Sequence, residues 1–406
     1  MKRMMKKKVL AIIGILSLVL ICGCGEPPYI EESNDTEMQN QAVADNEQDA
    51  YTFLRESNDR LCTSDKGLYY VKVNDSEHKL TNPEVYYYDY ATKSSSIWCS
   101  NINCKHADED CSAYIDEKYQ FVEYANDSVF KLRSDDTGIY LIQCDEDGSN
   151  EIKVANLIED QSGSVVIDVG RIYEDNLYYM IKDEGNNTKV YRANLIERNK
   201  IEYLFSLDGA DSKISSTGMY INDNCIYASL ARLSVNDKSY SRVIYQYSFS
   251  DRNLKEVVNR TDYYRSCAND TLYYFTEDKE LFKVLDDGTV KEVSPGKFKE
   301  IDSDGYGIFC NEKYIVFGKG MDAAYLLQNE KIYVYDIEND RLGYITEADM
   351  PNAASEAADK TSSLFWGVAG LSEKYCFIDA CKGKGVYAIE WTSVFSENPI
   401  SDYIIY

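Results

Sequence analysis

A turn-then-strand motif occurs seven times along the chain, and this repeat constrains the fold more than any other feature of the sequence. In each copy a few polar residues, most often Asn, Asp or Glu, precede a short apolar and aromatic run. The copies lie at residues 65–70, 126–130, 174–179, 222–227, 269–274, 311–315 and 372–376. Successive copies start 42 to 61 residues apart. A period of this length predicts one repetitive architecture rather than a single ordinary core.

A second apolar run follows each motif. These runs lie at residues 85–89, 139–141, 190–193, 244–247, 281–284, 332–335 and 386–389. Turn residues often come next, as at 145–148 and 286–288. Each unit therefore predicts about four antiparallel strands, which is typical of a propeller blade. We expect an all-β, seven-bladed β-propeller over residues 51–406. Six or eight blades are alternatives, and so is a pair of two-sheet sandwiches, although sandwiches do not explain a single period.

Both ends of the predicted propeller have the composition of strands. Residues 51–54 read YTFL and residues 403–406 read YIIY. A blade cannot bury both faces alone, so the ring must close on itself. We expect these two segments to meet in one blade and close the ring.

The N-terminus has the pattern of an export signal. Residues 1–8 carry five positive charges, and residues 9–21 form an apolar run too short for a bilayer-spanning helix of about 20 residues. Ile21-Cys22-Gly23-Cys24 resembles the lipobox of bacterial lipoproteins, in which the last cysteine is acylated, for example with palmitate. The resemblance implies a signal peptide over 1–23 and a lipid on Cys24 at the outer face of the cell membrane. An uncleaved anchor or an ordinary secretory signal is the alternative.

The mature chain is strongly acidic. Removing residues 1–23 takes away five basic residues and no acidic one, which changes the net charge from −26 to −31. Within residues 24–50 there are eight acidic side chains, no basic one and few apolar ones, which predicts a disordered tether. Nucleic acid and anionic lipid repel such a chain. We therefore expect no nucleic-acid partner and a membrane contact through the lipid alone.

One segment combines residues that could bind a metal. Residues 98–111 contain Cys99, Cys104, His106 and Cys111 in the spacing C-x4-C-x-H-x4-C. Three thiolates and one imidazole suit tetrahedral Zn²⁺, and four protein ligands predict a structural rather than a catalytic ion. The spacing differs from that of zinc knuckles, so no ligand roles are transferred from that family. A disulfide between two of the three cysteines, with the third free or paired with Cys62, is an equal alternative, and a segment with neither metal nor disulfide is a third.

The remaining cysteines of the mature chain are scattered. They are Cys62, Cys144, Cys225, Cys267, Cys310, Cys376 and Cys381, mostly in or beside apolar runs. Their spacing from one repeat to the next predicts small buried core residues and not a dense disulfide framework. We hypothesise a reducing or anaerobic habitat, because exposed thiols outside the cell would otherwise oxidise.

The sequence contains no recognisable catalytic motif. The only histidines are His78, in a polar stretch, and His106. A Ser-His-Asp hydrolase needs a histidine as its general base, so these two residues are the only candidates for that role. No G-x-S-x-G, P-loop or dinucleotide fingerprint occurs. We therefore predict a protein that is not an enzyme. Trp366, Trp391 and the abundant tyrosines could line a sugar or peptide site, although strand packing explains most of them.

The tyrosine-rich repeats resemble β-propellers of the TolB and YWTD type. Over residues 50–406 the chain is also similar to exported propeller lipoproteins of Gram-positive bacteria without an assigned function, in which the Cys-rich segment with its Cys104-Lys105-His106 core recurs. The resemblance implies a lipid-anchored surface propeller that binds or scaffolds a protein, peptide or glycan without catalysis. A carbohydrate-active lyase or hydrolase is one alternative, and an accessory or sensor subunit of a transporter or kinase system is another.

Overall fold

The structure is a computed structural model, and the part of the chain that it describes belongs to the predicted propeller. The described residues are 61–72, 84–106, 110–115, 121–159, 166–182, 187–207, 212–234, 239–268, 271–301, 306–319, 331–346, 367–379, 385–396 and 401–405. The predicted signal peptide, the tether and residues 51–54 lie outside these ranges. So do His78 and Trp366.

The described strands form seven four-stranded antiparallel sheets, and each sheet takes four consecutive strands. The predicted seven-bladed β-propeller is confirmed. Blade 1 comprises β1 (Leu61–Thr63), β2 (Gly67–Lys72), β3 (Glu84–Asp89) and β4 (Ser94–Ile97). Blade 2 comprises β5 (Val122–Ala125), β6 (Ser128–Asp135), β7 (Gly138–Asp145) and β8 (Ile152–Ile158). Blade 3 comprises β9 (Val166–Tyr173), β10 (Asn176–Lys182), β11 (Thr188–Asn194) and β12 (Ile201–Leu207). Blade 4 comprises β13 (Ser212–Ile221), β14 (Cys225–Ser234), β15 (Tyr240–Ser248) and β16 (Leu254–Arg260).

The other three blades follow the same plan. Blade 5 comprises β17 (Tyr263–Ala268), β18 (Leu272–Thr276), β19 (Leu281–Val284) and β20 (Val290–Val293). Blade 6 comprises β21 (Tyr306–Cys310), β22 (Tyr314–Lys319), β23 (Ile332–Asp336) and β24 (Arg341–Ile345). Blade 7 comprises β25 (Gly367–Leu371), β26 (Tyr375–Asp379), β27 (Gly385–Glu390) and β28 (Ser401–Ile405). The seven sequence motifs supply the second strand of every blade, and the runs that follow them supply the third.

Apolar packing between neighbouring blades forms the core. Because successive side chains of a strand point to opposite faces, one strand can serve two junctions. In β2, Leu68 and Tyr70 pack against blade 7, whereas Tyr69 and Val71 pack against blade 2. Seven clusters of buried apolar side chains occupy the seven junctions, one at each. The core is therefore distributed around the ring, as the repeat predicts.

The expectation that residues 51–54 and 403–406 meet in one blade and close the ring stays a prediction. The last strand, β28, pairs with β27 and completes blade 7 from its own stretch of chain. Among the described strands, no sheet combines the two ends of the chain, and residues 51–54 lie outside the description. At the junction of the first and last blades, Tyr70 and Tyr88 of blade 1 pack with Tyr375 and Phe377 of blade 7.

The hairpin between the third and fourth strands of a blade contacts the preceding blade. In blade 2 the carbonyl of Glu146 accepts a bond of 2.7 Å from Trp98 Nε1, which follows blade 1. In blade 3 the amide of Asn199 donates to Val154 O of blade 2 at 3.3 Å. In blade 5 the carbonyl of Asp286 accepts a bond of 2.9 Å from Gln246 of blade 4. The hairpin at 145–148 is therefore a structural turn, as predicted.

The described residues contain little helix. The four-residue α1 (Trp391–Val394) joins β27 to β28, and Trp391 is buried, with its Nε1 donating to Ser372 O at 2.8 Å. Trp391 thus packs at the junction of blades 6 and 7, stacked on Tyr314 of β22, and does not line an open site. In the described part of the chain, no helix has the length and apolar character that would let it span a bilayer.

Five of the scattered cysteines have side chains that the structure describes. Cys144, Cys225 and Cys376 are buried, Cys62 and Cys310 are partly buried, and all five are unpaired. Burial raises the pKa of the Cys144 thiol to about 11. These five therefore behave as small core residues, as predicted, whereas the side chains of Cys267 and Cys381 lie outside the description.

Candidate metal centre

The Cys/His segment connects blade 1 to blade 2. It begins directly after β4 at Trp98, whose amide donates to Val85 O of β3 at 2.9 Å and extends the edge of blade 1. Further along, Val85 N donates to Ala113 O at 2.8 Å, so the second half of the loop returns to the same strand. Both ends of the loop are therefore fixed on blade 1 by main-chain bonds.

The four residues singled out from the sequence lie together. One ligand atom from each of Cys99, Cys104, His106 and Cys111 is within 4.8 Å of all the others. His106 Nδ1 is 3.3 Å from Cys111 Sγ, and the His106 amide lies 3.4 Å from Cys104 Sγ. Cys111 is buried and the other three are partly buried. The local spacing is thus sufficient to gather three sulfurs and one nitrogen in a single small volume.

Tight turns bring the ligands into range. The Cys104 amide donates to Asn101 O at 3.0 Å, and the Asn103 amide donates to Asn101 Oδ1 at 3.0 Å. Asn is favoured in such turns because its short side chain can bond the backbone two residues on. His106 adopts a left-handed conformation with φ of 54°, a region that His enters more readily than most residues.

Gly148, in the hairpin between β7 and β8, touches both ends of the loop. Its φ is +81°, and a Cβ at this position would lie 2.9 Å from Ser112 Oγ and 3.1 Å from Trp98 O. The hairpin of blade 2 therefore approaches the loop so closely that only glycine fits without a shift.

The thiols of the cluster have different acidities. Burial raises the pKa of Cys99, but hydrogen bonds with the Asn101 backbone, Ser112 and the neighbouring thiols outweigh burial and lower it overall. Burial, followed by the proximity of the Cys104 and Cys99 thiols, raises the pKa of Cys111 to about 12. The pKa of Cys99 thus lies below the ordinary cysteine value and that of Cys111 above it.

The donor set fits zinc. Three sulfurs and one imidazole nitrogen are ligands that Zn²⁺ accepts in tetrahedral structural sites, and with four protein ligands no coordination position is left for water. The three thiols are unpaired in the structure. The disulfide alternative stays a prediction for an oxidised protein, since thiols this close could also bond to each other.

The sequence pattern did not identify two residues that lie next to the cluster. Lys131 and Arg133 of β6 hydrogen-bond the loop carbonyls of Ser112 and Cys111 at 2.6 and 3.2 Å. The available signal was a lysine inside an apolar strand, between Phe130 and Leu132. A strand residue there could equally have faced solvent, so the pattern did not identify its partner.

Comparisons with known proteins support the fold alone. No family model matches the sequence, and no curated protein does. A Pyrococcus horikoshii acylaminoacyl peptidase is similar, with a TM-score of 0.52, 11% identity and coverage of 84% of this chain and 51% of that one. An oligogalacturonate lyase solved in complex with manganese has a TM-score of 0.50, 10% identity and coverage of 86% and 89%. The tricorn protease has a TM-score of 0.45, 11% identity and coverage of 84% and 44%.

The chain spans about half the length of the two peptidases. At about 10% identity such a likeness carries the fold and no activity. The protein is thus a seven-bladed β-propeller. It resembles the propellers of these enzymes in fold, and the resemblance does not extend to their activities.

Proposed function

We propose that this protein is a lipid-anchored, extracytoplasmic β-propeller that binds or scaffolds a protein, peptide or glycan without catalysis, and that its Cys/His loop holds a structural zinc ion. The observation that carries the zinc part is the gathering of four ligand atoms within 4.8 Å of one another. The N-terminal signal pattern carries the anchor.

The role of zinc follows from the position of the loop. The loop has few apolar side chains to bury, and its apex residues 100–103 are exposed. Ordering such a segment costs roughly 1–2 kcal/mol per residue in backbone entropy. A bound Zn²⁺ offsets this cost, because metal binding contributes directly to the folding free energy. Zinc would therefore hold the connection between blades 1 and 2 in one conformation.

The lipid would account for the membrane attachment. Residues 9–21 are too short to span a bilayer, and the mature chain carries a net charge of −31. Anionic lipid would repel this charge. Two acyl chains on Cys24 would give stable anchoring where one chain is marginal. The acidic segment 24–50 would then act as a spacer between membrane and propeller.

The binding role rests on the architecture. A seven-bladed ring displays loops at its two ends, and such loops can vary while the strands keep the scaffold rigid. The ligand would be held at the central face of the ring. The alternatives are a carbohydrate-active lyase or hydrolase that uses carboxylates or tyrosines, and an accessory or sensor subunit of a surface transporter or kinase system.

Elemental analysis of the purified mature protein tests the zinc. We expect about one zinc ion per chain, lost in a Cys104→Ser, His106→Ala double variant. A Cys225→Ser variant is the matched control, since Cys225 is a buried thiol far from the loop in sequence and should leave the zinc content unchanged. If the protein purified under reducing conditions contains no zinc, the zinc part of the proposal is wrong.

A combined binding and turnover screen tests the rest. The mature protein would be applied to glycan and peptide arrays, and the same ligands would be incubated with it and analysed for products. Saturable binding without product supports a binding module. Reproducible product release, abolished by heat denaturation, would replace the binding role by the lyase or hydrolase alternative.

A further inference from the structure

We infer that Lys131 and Arg133, two cations of blade 2, position Cys111 in the metal site, so that metal binding and the junction of blades 1 and 2 stabilise each other. This inference rests on the proposed zinc site. Both side chains hydrogen-bond backbone carbonyls of the loop, so their role would be positioning.

Lys131 is a buried charge whose partners belong largely to the loop. Its side chain is 0% exposed. Its Nζ donates to Ser112 O at 2.6 Å and to Tyr114 O at 3.3 Å, and forms an ion pair of 3.1 Å with Glu151. A lysine is almost never fully buried unless it is paired, because desolvating the ammonium is costly. Two of its three partners are loop carbonyls, so keeping the loop in place is what satisfies the charge.

Arg133 acts on the ligand residue itself. It lies two positions from Lys131 in β6 and therefore on the same face of the strand. One guanidinium nitrogen donates to the carbonyl of Cys111 at 3.2 Å, and the other pairs with Glu151 at 2.6 Å. The backbone that carries the Cys111 thiol is thus fixed by a side chain of blade 2, whose own orientation Glu151 sets.

The loop segment lies between two blades. On one side Val85 of β3 donates to Ala113 O at 2.8 Å, and on the other side Lys131 of β6 binds the carbonyls of Ser112 and Tyr114. Cys99, in contrast, follows the edge of blade 1 directly. A metal ion that binds both Cys99 and Cys111 would link blade 1 to a segment that blade 2 holds.

The consequence is a thermodynamic linkage. A metal that binds only the folded arrangement stabilises that arrangement, and whatever pre-forms the arrangement strengthens metal binding. Residues that orient metal ligands from outside typically change metal affinity 10- to 100-fold when they are replaced. Lys131 and Arg133 should therefore matter for zinc affinity although neither contacts a ligand sulfur or the imidazole.

The test compares zinc affinity in the full mature protein and three variants by competition with a chromophoric chelator. Lys131→Met and Arg133→Gln remove the proposed positioning groups. Arg192→Gln is the control, because Arg192 pairs with Glu202 at 2.5 Å on blade 3, outside the loop. We expect zinc binding about 10- to 100-fold weaker in the first two variants and unchanged in the control.

Cobalt substitution gives a readout of the ligand set. With Co²⁺ in the site, the thiolate-to-metal absorption should fall by about one third in Arg133→Gln if Cys111 no longer coordinates. Suppose that the wild type binds zinc and that Arg133→Gln has the same zinc affinity and the same cobalt spectrum. This result would overturn the inference about Lys131 and Arg133 without contradicting the zinc site itself. A wild type that binds neither metal would overturn both. If Lys131→Met does not fold, Arg133→Gln decides the question.

Discussion

The ring of Tyr90 lies 5.3 Å from the ring of Tyr375, centroid to centroid, across the junction between the first and last blades. Tyr90 follows β3 in blade 1 and Tyr375 opens β26 in blade 7. In the described residues no shared sheet joins these two blades. Side-chain packing of this kind joins the two blades at this junction.

Coupling between these two rings can be measured. We expect Tyr90→Ala and Tyr375→Ala to destabilise the protein less in combination than the sum of the single effects, by about 0.5–1.5 kcal/mol, the usual worth of an aromatic pair beyond its buried area. Urea unfolding of the two single variants and the double variant gives this coupling. Tyr203 on blade 3 serves as the control partner for Tyr375, and that pair should be additive. Additivity of Tyr90 with Tyr375 would contradict the packing described above.

A buried carboxylate in blade 6 predicts a pH dependence. Asp336 is 3% exposed and accepts bonds from the Asn339 amide at 3.0 Å and from Arg341 at 2.9 Å. Burial raises the pKa of Asp336, but the bonds from Arg341 and Asn339 outweigh burial and hold the pKa below its ordinary value.

The sign follows from the lowered pKa. The carboxylate contributes stability that is fully present above the unfolded-state pKa of about 4, and this stability is lost as pH falls through the lower folded-state pKa. We expect Asp336→Asn to cost about 1–3 kcal/mol at neutral pH and progressively less towards pH 2. Urea unfolding of both proteins at several pH values measures the difference. A difference that does not shrink on acidification would show that the Asp336 charge is not responsible.

Gly148 and Gly296 form a natural pair for testing the contact between blade 2 and the loop. Their φ values are +81° and +78°, but a Cβ at Gly148 would collide with Ser112, whereas nothing lies within 4 Å of a Cβ at Gly296. Replacing either by Ala costs about 1–2 kcal/mol for the backbone conformation alone. We expect Gly148→Ala to be more destabilising in thermal unfolding and, unlike Gly296→Ala, to weaken zinc binding. Equal effects of the two replacements would mean that Ser112 can move away from the new Cβ without a cost in stability.

The sequence was sufficient for the blades because their signal is local and repeated. A polar turn before a run such as Leu68-Tyr69-Tyr70 favours a strand, and seven similar units favour a ring. The pairing of β28 with β27 was not predictable, because residues 403–406 look strand-like whichever edge they pair with. Backbone hydrogen bonding at a sheet edge carries little sequence information.

The same division holds for the candidate metal centre. The four ligand residues could be chosen from the sequence because they lie within 13 positions, so tight turns suffice to gather them. Lys131 could not be assigned, since its partners Ser112 and Tyr114 offer backbone carbonyls, which every residue has. The residue types at positions 112 and 114 therefore do not indicate that their carbonyls bind a distant lysine.

The lipid anchor gives the last prediction. If residues 1–23 are removed as a signal peptide, Cys24 becomes the new N-terminus and Cys22 is lost. Labelling with a fatty-acid analogue should therefore disappear in Cys24→Ala and persist in Cys22→Ala. The mature chain, with a net charge of −31, has no electrostatic attraction to an anionic membrane surface. The Cys24→Ala protein should thus leave the membrane fraction at low salt as well as at high salt, provided that its signal is still cleaved. Retention at low salt with release at high salt would reveal an electrostatic contact with the membrane. Labelling that is lost in Cys22→Ala and kept in Cys24→Ala would show that the signal is cleaved before Cys22.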